Sequence, residues 1–194
     1  GEQVVLGLIT DLNYANPHLS PFDEFQRFKH HPEIAKVLAG GRRVSYGARA
    51  IAKGGLSSLP KMTMPGALLI GCDAGTLNFS KIKGTHTAMK SGMLAAETLV
   101  EAFKAGDQGQ QDLSRYEEAF KSSWVFEELY KSRNFGAALH KWGPWLGGAF
   151  NWIEQNLFGG KFPTTLRDGH ADHEQLKPAS EFAKIDYPKP DGKL

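Results

Sequence analysis

"IGCDAGTLNFSKIKGTHTAMKSG", residues 70–92, sets two glycine-bearing turns between an apolar run and a helix. Ala67, Leu68, Leu69 and Ile70 form the run and read as a buried strand; Gly71 ends it. From Thr85 the pattern is helical. Ala88, Gly92, Ala95, Ala96, Leu99 and Phe103 fall on one face at i, i+3 and i, i+4 spacing. The first turns of that face carry only small residues, so they can press against a sheet or a ligand. A helix start offers unpaired N–H groups and partial positive charge, which attract an anion or an electron-rich carbonyl. Gly84 lets a ligand approach the backbone, and Thr85 adds a hydroxyl. The turn from Gly71 to Gly75 opens the carboxyl end of the strand, where cofactors sit in α/β folds. An ordinary strand–loop–helix connection would use glycine in the same places, and both readings stand at this point.

Outward from this stretch, "QVVLGLITDL" at residues 3–12 and "RRVSYGARAI" at residues 42–51 read as strands. Between them Ser20 is placed as an N-cap with Pro21 at the first helical position. Phe22, Phe25, Phe28, Ile34, Val37 and Leu38 are expected on the buried side of one or two short helices, with Pro32 as the breaker. Further on, "DLSRYEEAFKSSWVFEELYKSRNF" reads as one helix turning Tyr116, Phe120, Trp124, Leu129 and Tyr130 inward. The chain opens without an initiating Met, lacks a signal-peptide pattern and closes on the Pro-rich "IDYPKPDGKL", so a fragment of a longer protein is expected.

Residues 135–158, "FGAALHKWGPWLGGAFNWIEQNLF", hold Trp142, Trp145 and Trp152 with Phe150. Lys141 and Glu154 interrupt the run, and Gly143–Pro144 breaks it, which argues against a membrane span of roughly 20 apolar residues. Aromatics flanked by charge suit a segment lying in one leaflet's interface. A Trp-rich core helix or a dimer contact has the same composition.

Composition excludes several classes. A net charge of +2, with no basic stripe, does not fit a nucleic-acid partner. One cysteine, Cys72, rules out an internal disulfide and a cysteine-rich cluster site within the chain. We read Cys72 as a small buried residue rather than a reactive thiol. His30 and His31 are adjacent and diverge, and His170 and His173 lie in a solvated stretch, so no metal ligands are assigned.

The order of elements around residues 70–92 resembles the late flavin-contacting motif of glutathione-reductase-type FAD proteins, in which Gly-Asp-Ala-X-Gly precedes a glycine and a helix. Here Cys72 stands where the wide group has Asp, which points to one branch. "NPHLSPFDEFQRFKHHPEI", "YGARAI", "KIKGTHTAMKSGMLAAE", "SSWVFEELYKSRNF" and "DYPKPDG" together resemble the electron transfer flavoprotein–ubiquinone oxidoreductase family over nearly the whole chain. That resemblance implies an α/β to α+β fold: a partial glutathione-reductase-type FAD domain, part of a ubiquinone-binding domain, and a helical later half with a monotopic membrane patch. It implies the end of the ubiquinone-binding domain at residues 1–60, the later FAD domain at 61–134, the membrane-surface segment at 135–160 and a linker toward an iron–sulfur domain at 161–194.

By the same resemblance the whole enzyme takes electrons from reduced electron transfer flavoprotein and passes them to ubiquinone at the mitochondrial inner or bacterial cytoplasmic membrane. FAD would be held by Gly71, Cys72, Gly75, Gly84, Thr85 and the backbone of His86. Lys81 and Lys83 could add positive potential there, and Trp142, Trp145, Phe150 and Trp152 would meet the membrane. No protein nucleophile is implied. The GxGxxG turn and the four cysteines of a 4Fe–4S cluster are absent and are expected outside this stretch. Alternatives are a FixC-like or geranylgeranyl-reductase-like flavoprotein, or a non-catalytic membrane-associating fragment, and the chain alone is expected to be inactive.

Overall fold

The computed structural model describes residues 3–106 and 113–189. It divides into two compact units. One joins the described residues up to Ala48 with those from Gly169 onward; the other is Arg49–Asp168.

In the first unit, α1 (Pro21–Lys29) starts as its sequence dictates. Ser20 Oγ accepts a hydrogen bond from Asp23 N at 3.2 Å, and Pro21 occupies the first turn. Pro32 then opens α2 (Pro32–Leu38) rather than merely ending α1, and His31 Nδ1 accepts from Glu33 N. No residue of either helix is buried, and Phe22 is 69% exposed. The expected strands at 3–12 and 42–51 are irregular and exposed, Val5 at 95%. The physical cause is common to both differences. A strand is stable only with a hydrogen-bonded neighbour, and among the described residues none pairs with these segments, so the helices have no sheet to cover. A clasp holds this unit instead. Ser20 N donates to Tyr187 Oη at 3.0 Å, and Tyr187 Oη donates to Glu24 Oε1 at 3.1 Å.

The second unit is mainly helical. β1 (Thr63–Met64) and β2 (Ala67–Leu68) form a two-stranded antiparallel ribbon pairing Thr63 with Leu68, so the strand expected through Ile70 stops two residues early. A single-turn 3-10 helix, Gly71–Ala74, leads through a loop to α3 (Thr85–Lys104), followed by α4 (Arg115–Lys121), α5 (Trp124–Lys131) and α6 (Phe135–Leu157). Met62, Ala74, Leu94, Ala95, Tyr116, Phe120, Val125 and Leu129 form the core.

Two helix faces differ from expectation. α3 buries Thr87, Ser91, Leu94, Ala95 and Thr98, whereas Ala96 and Phe103 of the expected face are exposed. α4 and α5 pack on the first of these faces, and the small residues at 88, 92 and 96 offer those helices less apolar area. The single helix expected over 112–135 is two. Ser122 Oγ and Ser123 Oγ donate back to the carbonyls of Glu118 and Phe120, and Ser123 is extended. That break resets the phase, so Val125 takes the buried place expected for Trp124, and Tyr130 stays exposed.

In α6, Gly143 adopts φ +70°, ψ −177°, a conformation open to glycine, and Pro144 follows it. Residues 135–142 and 144–157 therefore fold back as an antiparallel hairpin. A Cβ on Gly147 would lie 2.4 Å from Ala138 O, so the two arms cross where only glycine fits.

Candidate functional site

β2 delivers the chain into the Gly71–Ala74 turn, where φ of +65° at Gly71 and +88° at Gly75 requires glycine at both ends. Gly71 N donates to Ser91 Oγ at 2.9 Å, which fastens the turn to α3. A Cβ on Gly71 would sit 3.4 Å from Ala88 Cβ. A Cβ on Gly84 would sit 2.8 Å from Cys72 Sγ and 2.9 Å from Leu77 Cδ1. Gly84 is thus glycine for space, since it lets the start of α3 close on the preceding turn.

The structure brings Gly71, Cys72 and Gly84 together at this point. Gly75 closes the far end of the turn against Leu59, Ala52 and Ser58. Cys72 is half-buried rather than buried. Thr85 is exposed at the helix start, and Gly84 supplies no side-chain cap. Thr87 Oγ1 donates to Gly84 O at 2.8 Å.

Side chains around this start turn elsewhere. His86 stacks on Trp124, centroids 5.7 Å apart and planes at 10°, and its Nε2 donates to Glu128 Oε1 at 2.7 Å. Asn78 Nδ2 donates to the same oxygen at 2.9 Å, and Lys81 Nζ pairs with Glu128 Oε2 at 3.0 Å. Burial works against the charge on Glu128, but the bonds from Asn78, His86 and Lys81 outweigh it and lower its pKa to about 2. Sequence reasoning missed Glu128. Its donors lie 42 to 50 residues away, and nothing in "FEELYK" marks it.

The aromatic segment separates into two sets. Trp145 is 89% and Trp152 63% exposed, in line with Leu146, Ile153 and Leu157 on one helix face. Phe150 turns inward, in edge contact with Trp142 and Phe162 at 5.1 and 5.4 Å. It belongs to the hairpin's interior rather than to the exposed face. Behind that face the packing is polar. Asn151 Nδ2 donates to Phe135 O, and Asn134 Nδ2 donates to the buried Glu154 Oε1 at 2.6 Å. Arg133 donates to the carbonyls of Tyr130, Gly160 and Phe162. Residues 161–166, expected to begin a linker, are held to this network, since Leu166 N donates to Asn134 Oδ1. Among the described residues no three His, Cys, Asp or Glu side chains cluster as metal ligands, and no helix is long and apolar enough to cross a membrane.

Residues 1–51 match the family model described as "ETF-QO, ubiquinone-binding". Over nearly its whole length, the chain is 67% identical over 192 residues to the electron transfer flavoprotein-ubiquinone oxidoreductase of Pseudomonas aeruginosa, covering 99% of this chain and 35% of that protein. It is 48% identical over 196 residues to the mitochondrial protein of the same name from Bos taurus, covering 98% of this chain and 32% of the relative. The chain belongs to the electron transfer flavoprotein–ubiquinone oxidoreductase family. It spans about a third of the length of the curated relatives it matches.

Proposed function

We propose that this chain forms the later flavin-facing and membrane-facing part of an enzyme that takes electrons from reduced electron transfer flavoprotein and passes them to ubiquinone at a membrane surface. The observation that carries this is the identity of 67% along 99% of the chain to a relative of that name. On this proposal residues 1–60 close the ubiquinone-binding domain and residues 61–134 are the later FAD domain. The donor set at the start of α3 suits the pyrimidine edge of a flavin: a helix start without a side-chain cap, a turn closed onto it by Gly84, and an exposed hydroxyl at Thr85.

Gly71, Cys72, Gly75, Gly84, Thr85 and the backbone of His86 would hold FAD. When bound, it supplies the exchange of electrons between a flavoprotein donor and a quinone. The residues' own work is to bind, to shield the site from water and to place the positive end of α3 where negative charge develops. With a single cysteine, this chain cannot furnish the four thiolates of a 4Fe–4S cluster, and no step is routed through one. The exposed face at Trp145, Leu146, Trp152, Ile153 and Leu157 would lie in the interface of one leaflet, on the mitochondrial matrix side or the bacterial cytoplasmic side.

The test is made on the native protein that carries this chain. Flavin absorbance that bleaches with reduced electron transfer flavoprotein and returns with ubiquinone is expected. A native protein without flavin would overturn the assignment.

A further inference from the structure

We propose that Glu128 is a positioning residue for the flavin-facing turn, gathering Asn78, Lys81 and His86 onto α5 so that none of them caps or covers the start of α3. The inference rests on the function proposed above. Three donors from two adjoining elements converge on one carboxylate, at 2.9, 3.0 and 2.7 Å. Two come from the 78–83 turn and one from the first turn of α3 itself. Asn78 carries the restraint onward: its Oδ1 accepts from Ser80 Oγ at 2.8 Å, and its backbone bridges to Lys83. Ile82, at φ +53°, is held in the left-handed region within the same turn, which costs energy that surrounding bonds must offset.

α3 starts without a side-chain cap, as do α4, α5 and α6, unlike α1 and α2. The last two each begin with a side chain folded onto their own first N–H groups, from Ser20 and from His31. At α3, Asn78, Ser80, Lys81 and His86 are all near in sequence and able to interfere, and the three that bond Glu128 point to α5 instead. Trp124 completes the arrangement by covering one face of the His86 ring. The carboxylate stays ionised through the physiological range because those same donors hold it, so the restraint is permanent rather than switched.

The experiment uses the full-length flavoprotein as wild type, Glu128→Gln and Glu127→Gln. Glu127 is the exposed neighbour that pairs with Lys131 and serves as control. In E128Q, amide exchange across residues 78–86 is expected to quicken roughly ten- to a hundredfold, the range for losing a hydrogen bond to a charged group. The FAD dissociation constant is expected to rise about tenfold, and the flavin midpoint potential to move. E127Q should match wild type in all three. Should E128Q fold poorly, Lys81→Met removes one exposed donor and should shift the same readouts less. Faster exchange with unchanged flavin affinity and potential would mean a merely structural role and overturn the proposal, as would unchanged exchange. Wild-type protein that binds no flavin would sink the proposed function and this inference together, whereas flavin bound equally by both sinks this inference alone.

Discussion

α4 and α5 place apolar side chains inside and charges outside; the second arm of α6, after Pro144, does the reverse. In the first pair Tyr116, Phe120, Val125 and Leu129 are buried, while Lys121, Glu127 and Lys131 face out. In the second Gly147, Asn151 and Glu154 are buried, while Trp145, Leu146, Trp152, Ile153 and Leu157 are exposed. Hydrophobic burial drives the first arrangement and cannot drive the second, because burying Asn151 and Glu154 costs free energy unless they are hydrogen-bonded. α6 therefore reads as a hairpin fixed from behind by polar contacts so that its apolar face is left available. Contiguous exposed apolar area of this kind marks a surface meant for another apolar phase or partner.

The sharpest way to break the comparison is at the crossing of the two arms. Gly147→Ala adds a Cβ within 2.4 Å of Ala138 O, a backbone atom that cannot rotate away. We expect a loss of about 1–3 kcal/mol in urea unfolding, the cost of overpacking a close contact. Gly148→Ala, where a Cβ meets nothing within 4 Å, should be neutral or slightly stabilising. Equal effects at the two positions would mean that the arms do not cross as described.

A smaller effect distinguishes the polar interior from an apolar one. Burial raises the Glu154 carboxyl above its ordinary value, opposed by the Asn134 bond and the positive charge of Arg133. An acid raised in the folded state keeps its proton there at pH values where the unfolded chain has released it. Its contribution is therefore most favourable below the unfolded value and declines as pH rises through the folded one. Glu154→Gln, which keeps the bonding pattern but cannot ionise, should remove that decline. Urea midpoints measured from just below the unfolded carboxyl value, about pH 4, upward would check it. Parallel profiles for the two proteins would show that Glu154 does not titrate in this range on unfolding.

What could be read in the sequence was local. Ser20 with Pro21, the break at Gly143–Pro144 and the start of α3 after Gly84 each depend on a few neighbouring residues. Two kinds of feature were not legible. Strands need partners, so the apolar alternation at residues 3–12 and 42–51 could not report that none of the described segments pairs with them. Contacts across tens of residues leave no local trace, which hid Glu128 from the reading of Lys81 and His86. Phase was lost as well wherever a helix was interrupted. Ser122–Ser123 exchanged Trp124 for Val125 in the core, and the fold-back at Gly143 turned Phe150 inward while leaving Trp145 and Trp152 outside.

That last exchange defines the gentlest and most discriminating variant. Trp145 and Trp152 touch little of the hairpin's interior, so replacing both with Ser should change unfolding stability by no more than about 0.5 kcal/mol, as for surface positions generally. Vesicle flotation should nevertheless fall steeply, because two indole rings leave the interface region they prefer. Phe150→Ser makes the opposite pairing of effects. Its ring packs on Trp142 and Phe162, so its loss should destabilise the hairpin first and weaken flotation only as a consequence. If the double Trp variant floats as well as wild type, the exposed face serves a protein partner or nothing. If it unfolds as readily as Phe150→Ser, the two indoles are part of a core, and the reversed polarity of the second arm of α6 is not real.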